Sequence, residues 1–305
     1  MANLFDIGKS GLESYRQALA VTGQNLANID TDGYKRREAS LDEISGGKGG
    51  ITSVGKETGL GVRVTSIRRS FDEFLLNKAR SANASAVSKE TFYQNVKALE
   101  DIILPGESNI GTQINRFFSG LQEISTTPSD MAARAVALEQ GRALANSFQE
   151  LSVLTRNMSS DFEKFAKQEV RDLNIFTSEL ANLNQQIAAM GSNATNSILD
   201  SRDALIDKIS GIVGVTVELS SAGAAKLTLG STGQGPTIVD GIDQNNLSVA
   251  VAEDRLSFSV VRGASKFLTS QVTSGSLHGI GDSYRTTEAV MDEVDNLAFV
   301  MVRDM

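Results

Sequence analysis

The chain has 305 residues, a formal charge of −8, no cysteine and a single histidine. That length is enough for one large domain or two to three small ones. The acidic balance excludes nucleic acid as the expected partner, because phosphate binding needs a net or clustered positive surface. Without cysteine there are no disulfides, no thiolate metal site and no thiol nucleophile. His278 would have to carry any histidine chemistry; it sits in "SGSLHGIGD", read as an ordinary loop, and no nucleophile elbow occurs elsewhere. No catalytic, cofactor or metal residue is therefore expected. No apolar run approaches membrane-spanning length, so no membrane partner is expected. "MANLFDIGKSGLES" has neither the charged n-region nor the apolar h-region of a cleaved secretory signal. Few aromatics and three prolines point to long helices.

In chain order, the first element is a helix. Phe5, Gly8, Leu12, Tyr15, Leu19, Thr22, Leu26 and Ile29 alternate steps of three and four, the spacing of a coiled-coil seam. Lys9, Glu13, Arg16, Gln17 and Gln24 occupy other positions. The seam is narrow and broken by Gly8 and Thr22, too little to stabilise an isolated helix, so it calls for a partner helix. Asn28, Asp30, Asp32 and Gly33 end it. Next come a glycine-rich loop, "SGGKGG", and a short exposed strand in "GLGVRVTSIRRS". The glycines do not make a phosphate loop, since the preceding strand and the Gly-Lys-Ser/Thr ending are missing.

Helix resumes over "FDEFLLNKARSANASAVSKETFYQNVKALEDIIL", with Phe92, Val96, Leu99 and Ile103 as an apolar stripe and Pro105-Gly106 as its stop. A shorter helix places Ile110, Ile114, Phe117, Phe118, Leu121 and Ile124 on one face. After Pro128 the longest helix runs without proline from Met131 to Met190. Its apolar positions Leu151, Leu154, Met158, Phe162, Phe165, Leu173, Phe176, Leu180, Leu183, Ile187 and Met190, with Glu169 interposed, follow two eleven-residue periods and then a heptad. "SILDSRDALIDKISGIVG" is a further helix capped by Gly211 or Gly214. From Val215 the pattern alternates with period two, predicting one small antiparallel sheet of four to six strands. Helix returns with Val290, Val294, Leu297 and Met301. The predicted fold is mainly α: a long coiled-coil-like helical bundle with a small antiparallel β subdomain. The predicted divisions are 1–32, a tube-core seam helix; 33–70, a linker with a short strand; 71–212, a long-helix rod; 213–275, the β subdomain; and 276–305, a returning helix.

A seam helix ending in "QNLANIDTDGYKRRE" resembles the N-terminal signature of the flagellar axial proteins, a group that includes rod, hook and hook-associated proteins. Asn25, Asn28, Thr31, Gly33, Tyr34 and Arg36 stand at the motif positions. The long helices followed by "NSILDSRDALIDKISGIVGVTVEL" are similar to the hook-associated protein 1 family, with Leu199, Asp200, Arg202, Asp203 and Leu205 matching. So is the Gly275 to Gly279 segment. Asp200, Arg202 and Asp203 are read as a helix start with a surface ion pair.

The resemblance implies a structural part of the bacterial flagellum, at the junction of hook and filament outside the cell, reached through the flagellar type III export system. It implies sister subunits, hook protein, hook-associated protein 3, the export apparatus and a chaperone as partners. The seam of Phe5, Leu12, Tyr15, Leu19, Leu26 and Ile29 would drive assembly into a ring, staying disordered until neighbours supply apolar surface. Gly33 would supply a positive φ, Tyr34 would pack and hydrogen-bond, and Arg36 would pair with a neighbour. Members of the family are longer and return with a second seam helix. The pattern here runs to Met305 without a capping signal, which reads as a fragment or a truncated form. Two other classes compete. A chemoreceptor-like signalling rod would lack the β region and the opening motif. A wall hydrolase would need a carboxylate pair in a cleft, and the dense acidic spots at Asp72–Phe74 and Met291–Asp295 read as solvated surface.

Overall fold

A computed structural model describes residues 4–31, 33–44, 61–70, 72–104 and 109–303. The "SGGKGG" loop, the Pro105-Gly106 stop and the turn residue Asp32 lie outside the described residues. The fold is mainly α with small antiparallel sheets.

Helix α1 spans Leu4–Ala27 and is followed by strands β1 (Arg37–Glu43) and β2 (Val62–Arg69), which pair antiparallel from Arg37↔Arg69 to Glu43↔Val62. The sequence predicts one exposed strand here; the structure pairs two and lays α1 across them. The missed strand, "REASLDE", has almost no apolar alternation to reveal it. The contact is made by small and polar residues at helical spacing. Ser14 Oγ donates to the Val62 carbonyl at 2.9 Å, the Val62 N–H donates to Ser10 Oγ at 3.3 Å, and Ser14 and Val21 are buried. The helix is therefore held to its own chain by a polar face that the sequence reading does not predict, while the seam residues stay exposed.

The body is built on α2 (Glu73–Ile103), α3 (Ile110–Thr126), α4 (Met131–Met190), α5 (Asn196–Ile212) and α6 (Ser276–Arg303). Four of these helices start on a side-chain cap: Asp72, Asn109, Asp130 and Thr195 accept from the first turns of α2, α3, α4 and α5. On α3, Phe118 and Leu121 turn outward (48% and 38% exposed) and Gly120 is buried, so the predicted apolar face is split. On α4, Leu151, Phe162, Leu173, Leu180 and Ile187 are buried, keeping the eleven- and seven-residue periods. Their companions in the seam are Thr155, Ala166, Val170, Thr177 and Asn184. Leu154, Phe165 and Met190 instead face outward. Small and polar companions let the neighbouring elements approach α4 closely. Neither predicted glycine caps α5: Gly211 lies in its last turn and Val213 is the C-cap. His278 lies on α6, beside Ser88 Oγ at 3.1 Å, and not in a loop.

The β region forms two sheets where one was predicted. Strands β3 (Val215–Leu219), β4 (Ala225–Leu229), β5 (Thr237–Asp240) and β6 (Asp243–Gln244) make the first, in that order. Strands β7 (Asn246–Ala252), β8 (Arg255–Arg262) and β9 (Ser265–Thr269) make the second. The core joins α4, α5 and α6 to both sheets through Leu173, Leu180, Ile206, Leu227, Phe258 and Leu277 among others. Helices α2 and α6 approach closely at Gly279, where a Cβ would stand 2.5 Å from the Ser88 carbonyl oxygen and 2.8 Å from Thr91 Cβ. Gly279→Ala is therefore expected to lower the stability of the body by about 1–3 kcal/mol through overpacking, read as a shift of the urea midpoint without a change in slope.

Candidate assembly surface

The two faces of α1 have opposite characters. One rests on the hairpin; the other carries Leu4, Phe5, Leu12, Tyr15, Leu19 and Leu26, with Ile29 just beyond, all between 63% and 83% exposed. A helix of this length, 24 residues, spans about 36 Å. Contiguous apolar surface of that extent marks an interaction site on a soluble protein. Along one border the strip meets a groove of about 710 Å³ between α1 and β1, lined in part by Val21, Leu26, Ile29 and Ala39.

The end of α1 is fixed to the hairpin by Asn25. Its Nδ2 donates to the Arg37 carbonyl at 2.8 Å, and its Oδ1 accepts from the Arg37 N–H at 2.9 Å and from Tyr34 Oη at 2.9 Å. The side-chain amide thus satisfies both backbone groups of one residue on the open side of β1. Asn28 shapes the turn: Nδ2 donates to the Gln24 carbonyl at 2.8 Å and Oδ1 accepts from Thr31 Oγ1 at 3.2 Å. The Tyr34 N–H then donates to the Thr31 carbonyl at 3.2 Å. Gly33 has φ +78°, a conformation open to glycine and strained for other residues. The Tyr34 ring lies under the Arg37 guanidinium, 4.9 Å from its centroid. Arg36 pairs with Glu38 of its own chain at 3.1 Å, with both side chains largely exposed. Asn25, Asn28, Thr31 and Tyr34 are thus joined by hydrogen bonds at the end of α1, with Arg36 at the edge of the turn.

Beneath the turn lies a charge cluster. Asp200 accepts from Arg37 at 3.2 Å and from Arg69 at 2.8 Å; Asp203 accepts from Arg69 at 2.8 Å and from Arg202 at 2.6 Å. Arg202 also donates to the Gly223 carbonyl, and Asn196 Nδ2 donates to the Ile67 carbonyl at 3.0 Å. This corrects the reading of a surface ion pair at a helix start. Arg202 and Asp203 are 1% exposed and lie within α5, beyond its first turn. Burial pulls the Arg202 guanidinium below the ordinary arginine value, and Asp203 opposes that pull. Sequence alone does not distinguish a buried pair from a solvated one here, because Arg37 and Arg69 arrive from more than 130 residues away. Among the described residues no group of acidic and histidine side chains could hold a metal ion.

Residues 96–305 match a family model described as the flagellar hook-associated protein FlgK helical domain, rather more than two thirds of the chain. The chain belongs to that family. Residues 5–35, which contain most of α1 and its turn up to Lys35, match a second model, the flagella basal body rod protein. The chain is 26% identical to flagellar hook-associated protein 1 of Bacillus subtilis over 306 residues, covering 97% of this chain and 60% of that protein. It is 28% identical to the same-named protein of Salmonella typhimurium over 252 residues, covering 81% and 44%. The flagellar hook junction protein FlgK from Burkholderia pseudomallei is a solved structure of similar fold. Its TM-score is 0.61 at 26% identity, over 68% of this chain and 38% of that one. The chain thus spans between two fifths and three fifths of the curated relatives' length.

Within this FlgK-family body, Asp203 is the residue on which two buried guanidinium groups converge. Asp203→Ala is expected to cost about 3–5 kcal/mol, the penalty of stranding buried charge. Arg36→Ala, which loses an exposed pair, is expected to stay within about 0.5 kcal/mol. Urea unfolding followed by circular dichroism on the two variants separates these outcomes.

Proposed function

We propose that this chain is a structural subunit of the bacterial flagellum that acts at the hook–filament junction, and that it is not an enzyme. It polymerises with sister subunits into a ring by burying the α1 strip against helices of its neighbours. The observation that carries this reading is the strip itself: seven large apolar side chains exposed along α1 and its turn, on a helix whose other face is already covered. Burying each side chain contributes about 1.5–3 kcal/mol, enough in sum to offset the entropy of association. The similarity to hook-associated protein 1 supports the junction as the site, with hook protein and hook-associated protein 3 as neighbours. Export through the flagellar type III system with a chaperone, and placement outside the cell, belong to the same proposal.

The proposed division of labour follows the chain. Residues 1–32 supply the tube-core helix, and residues 33–70 join it to a helical rod over 71–212. The β subdomain covers 213–275, and the helix over 276–305 leads onward. In this scheme Phe5, Leu12, Tyr15, Leu19, Leu26 and Ile29 form the assembly seam, and the turn from Asn25 to Arg36 sets the angle at which the seam is presented. A rod-protein role has less support, because the similarity to the basal-body rod protein FlgG of Buchnera aphidicola covers 29% of the chain.

Two variants test the proposal in cells producing the full-length protein. Leu12→Glu with Leu19→Glu is expected to reduce incorporation into flagella by a factor of about 100 or more, while the purified protein keeps its helical content. Gly33→Val strains a φ of +78° and brings a side chain toward Ala204 Cβ, 3.4 Å from the position of a Cβ at Gly33. Incorporation is expected to be lost with the stability of α2 to α6 retained. Normal motility in both strains would sink the assignment.

A further inference from the structure

The N-terminal unit, made of α1, β1 and β2, is joined to the body mainly through charge. It is continuous in sequence, and among the described residues it joins the body between Arg69 at the end of β2 and Glu73 at the start of α2. None of its described residues belongs to the apolar core, which draws on Met158 and later residues and so leaves out α2 and α3 as well. The side-chain bonds between unit and body are ionic and polar, and Gly33 approaches Ala204 of α5 beside them. Arg37 and Arg69 on the hairpin share Asp200 on α5, Arg69 reaches Asp203, and Asn196 takes the Ile67 carbonyl. Beside this contact runs a cleft of about 560 Å³, walled on one side by Gln24, Asn28 and Tyr34 and on the other by Ser197, Ser201 and Ala204.

We propose that the α1–hairpin unit is a lever seated on α5 by an ionic latch, and that it swings across this cleft when Asp200 releases Arg37 and Arg69 and Asp203 releases Arg69. The energetics favour such a device. Opening an apolar interface exposes hydrocarbon to water at a cost proportional to area. Opening a partly buried ion pair returns both charges to water, and the recovered hydration offsets most of the lost attraction. The two states therefore lie close in free energy. The cluster is graded to suit this. Arg202 and Asp203 are 1% exposed on the body side, Arg69 is 7% and Asp200 12%, and Arg37 is 21% exposed at the cleft. The deep pair stays with the body while the outer contacts break. The lever changes the inclination of the α1 strip without unfolding either part, because Asn25 ties α1 to the hairpin and the core ties α5 to the sheets. This inference rests on the latch geometry and not on the assembly reading, so each can fail without the other.

The native chain has no cysteine, which makes paired spin labels unambiguous. Gln24→Cys with Ser197→Cys spans the cleft; Lys89→Cys with Arg285→Cys, on α2 and α6, reports the body alone. Distances are measured by double electron–electron resonance on the monomeric full chain, with the latch intact, with Asp200→Asn, and with Arg37→Gln, which leaves both carboxylates in place. Expected is a main cleft distance in the parent that broadens, or gains a second longer population, in both latch variants while the body distance stays narrow. Two results overturn the proposal. One is a cleft distribution as narrow in both latch variants as in the parent. The other is body distances that broaden together with the cleft, which would make the cluster part of the body's fold and not a joint.

Discussion

Three asparagines hold this architecture together by the same bond. Asn25 on α1 meets Arg37 of β1, Asn174 on α4 meets Leu247 of β7, and Asn184 on α4 meets Ala225 of β4. In each case the side-chain amide donates to the carbonyl and accepts from the N–H of a single residue, at 2.8 to 2.9 Å. Two residues of an antiparallel pair exchange bonds in the same manner. The amide thus stands in for a missing strand. Asn184, fully buried, uses its remaining donor on the Gly241 carbonyl at 2.9 Å, next to the end of β5. Backbone groups that would otherwise stay open are closed by helices, and each helix is fixed in register as well as in position.

That constraint accounts for the apolar strip that α1 leaves outside. A helix held to a hairpin by Ser10, Ser14 and Asn25 presents a small, hydrogen-bonding face to its own chain. The Phe5 to Ile29 strip lies away from that face, so the same contact that folds α1 also aims its hydrocarbon at solvent. The long helix α4 applies the reverse logic. Its large residues are inside at Leu151, Phe162, Leu173, Leu180 and Ile187, and its asparagines sit among them to catch the sheets.

How much of this is legible in the sequence depends on the chemistry of each contact. The long helix is found to its ends, because apolar periodicity from Leu151 to Met190 fits neither strand nor loop and no proline interrupts the chain back to Met131. It misassigns Leu154 and Phe165, since hydrophobicity ranks them above Thr155 and Ala166 while packing prefers the smaller side chains. The seam of α1 is visible, and its second, polar face is not, because serine and asparagine at helical spacing look like solvent. Asn184 does carry a signal: an asparagine at a core position of a heptad disfavours helix and requires a partner. The charge cluster carries less. Asp200, Arg202 and Asp203 are neighbours on α5, but their burial depends on Arg37 and Arg69 from a distant hairpin, and local sequence says nothing of that meeting.

The placement of charge at the contact with the hairpin, and hydrocarbon at the far face of α1, suits the assembly proposed above. An apolar joint would compete with the strip for partners while neighbours are absent, since hydrocarbon surfaces are interchangeable to one another. Guanidinium and carboxylate groups are not interchangeable with hydrocarbon, and an unpaired buried charge rejects the wrong contact strongly. The α1 unit can therefore find its seat on α5 without burying the strip against its own body. Segregating the two kinds of interaction onto separate faces of one short unit keeps the bonds to α5 ionic and leaves the apolar face open, as the proposed assembly requires.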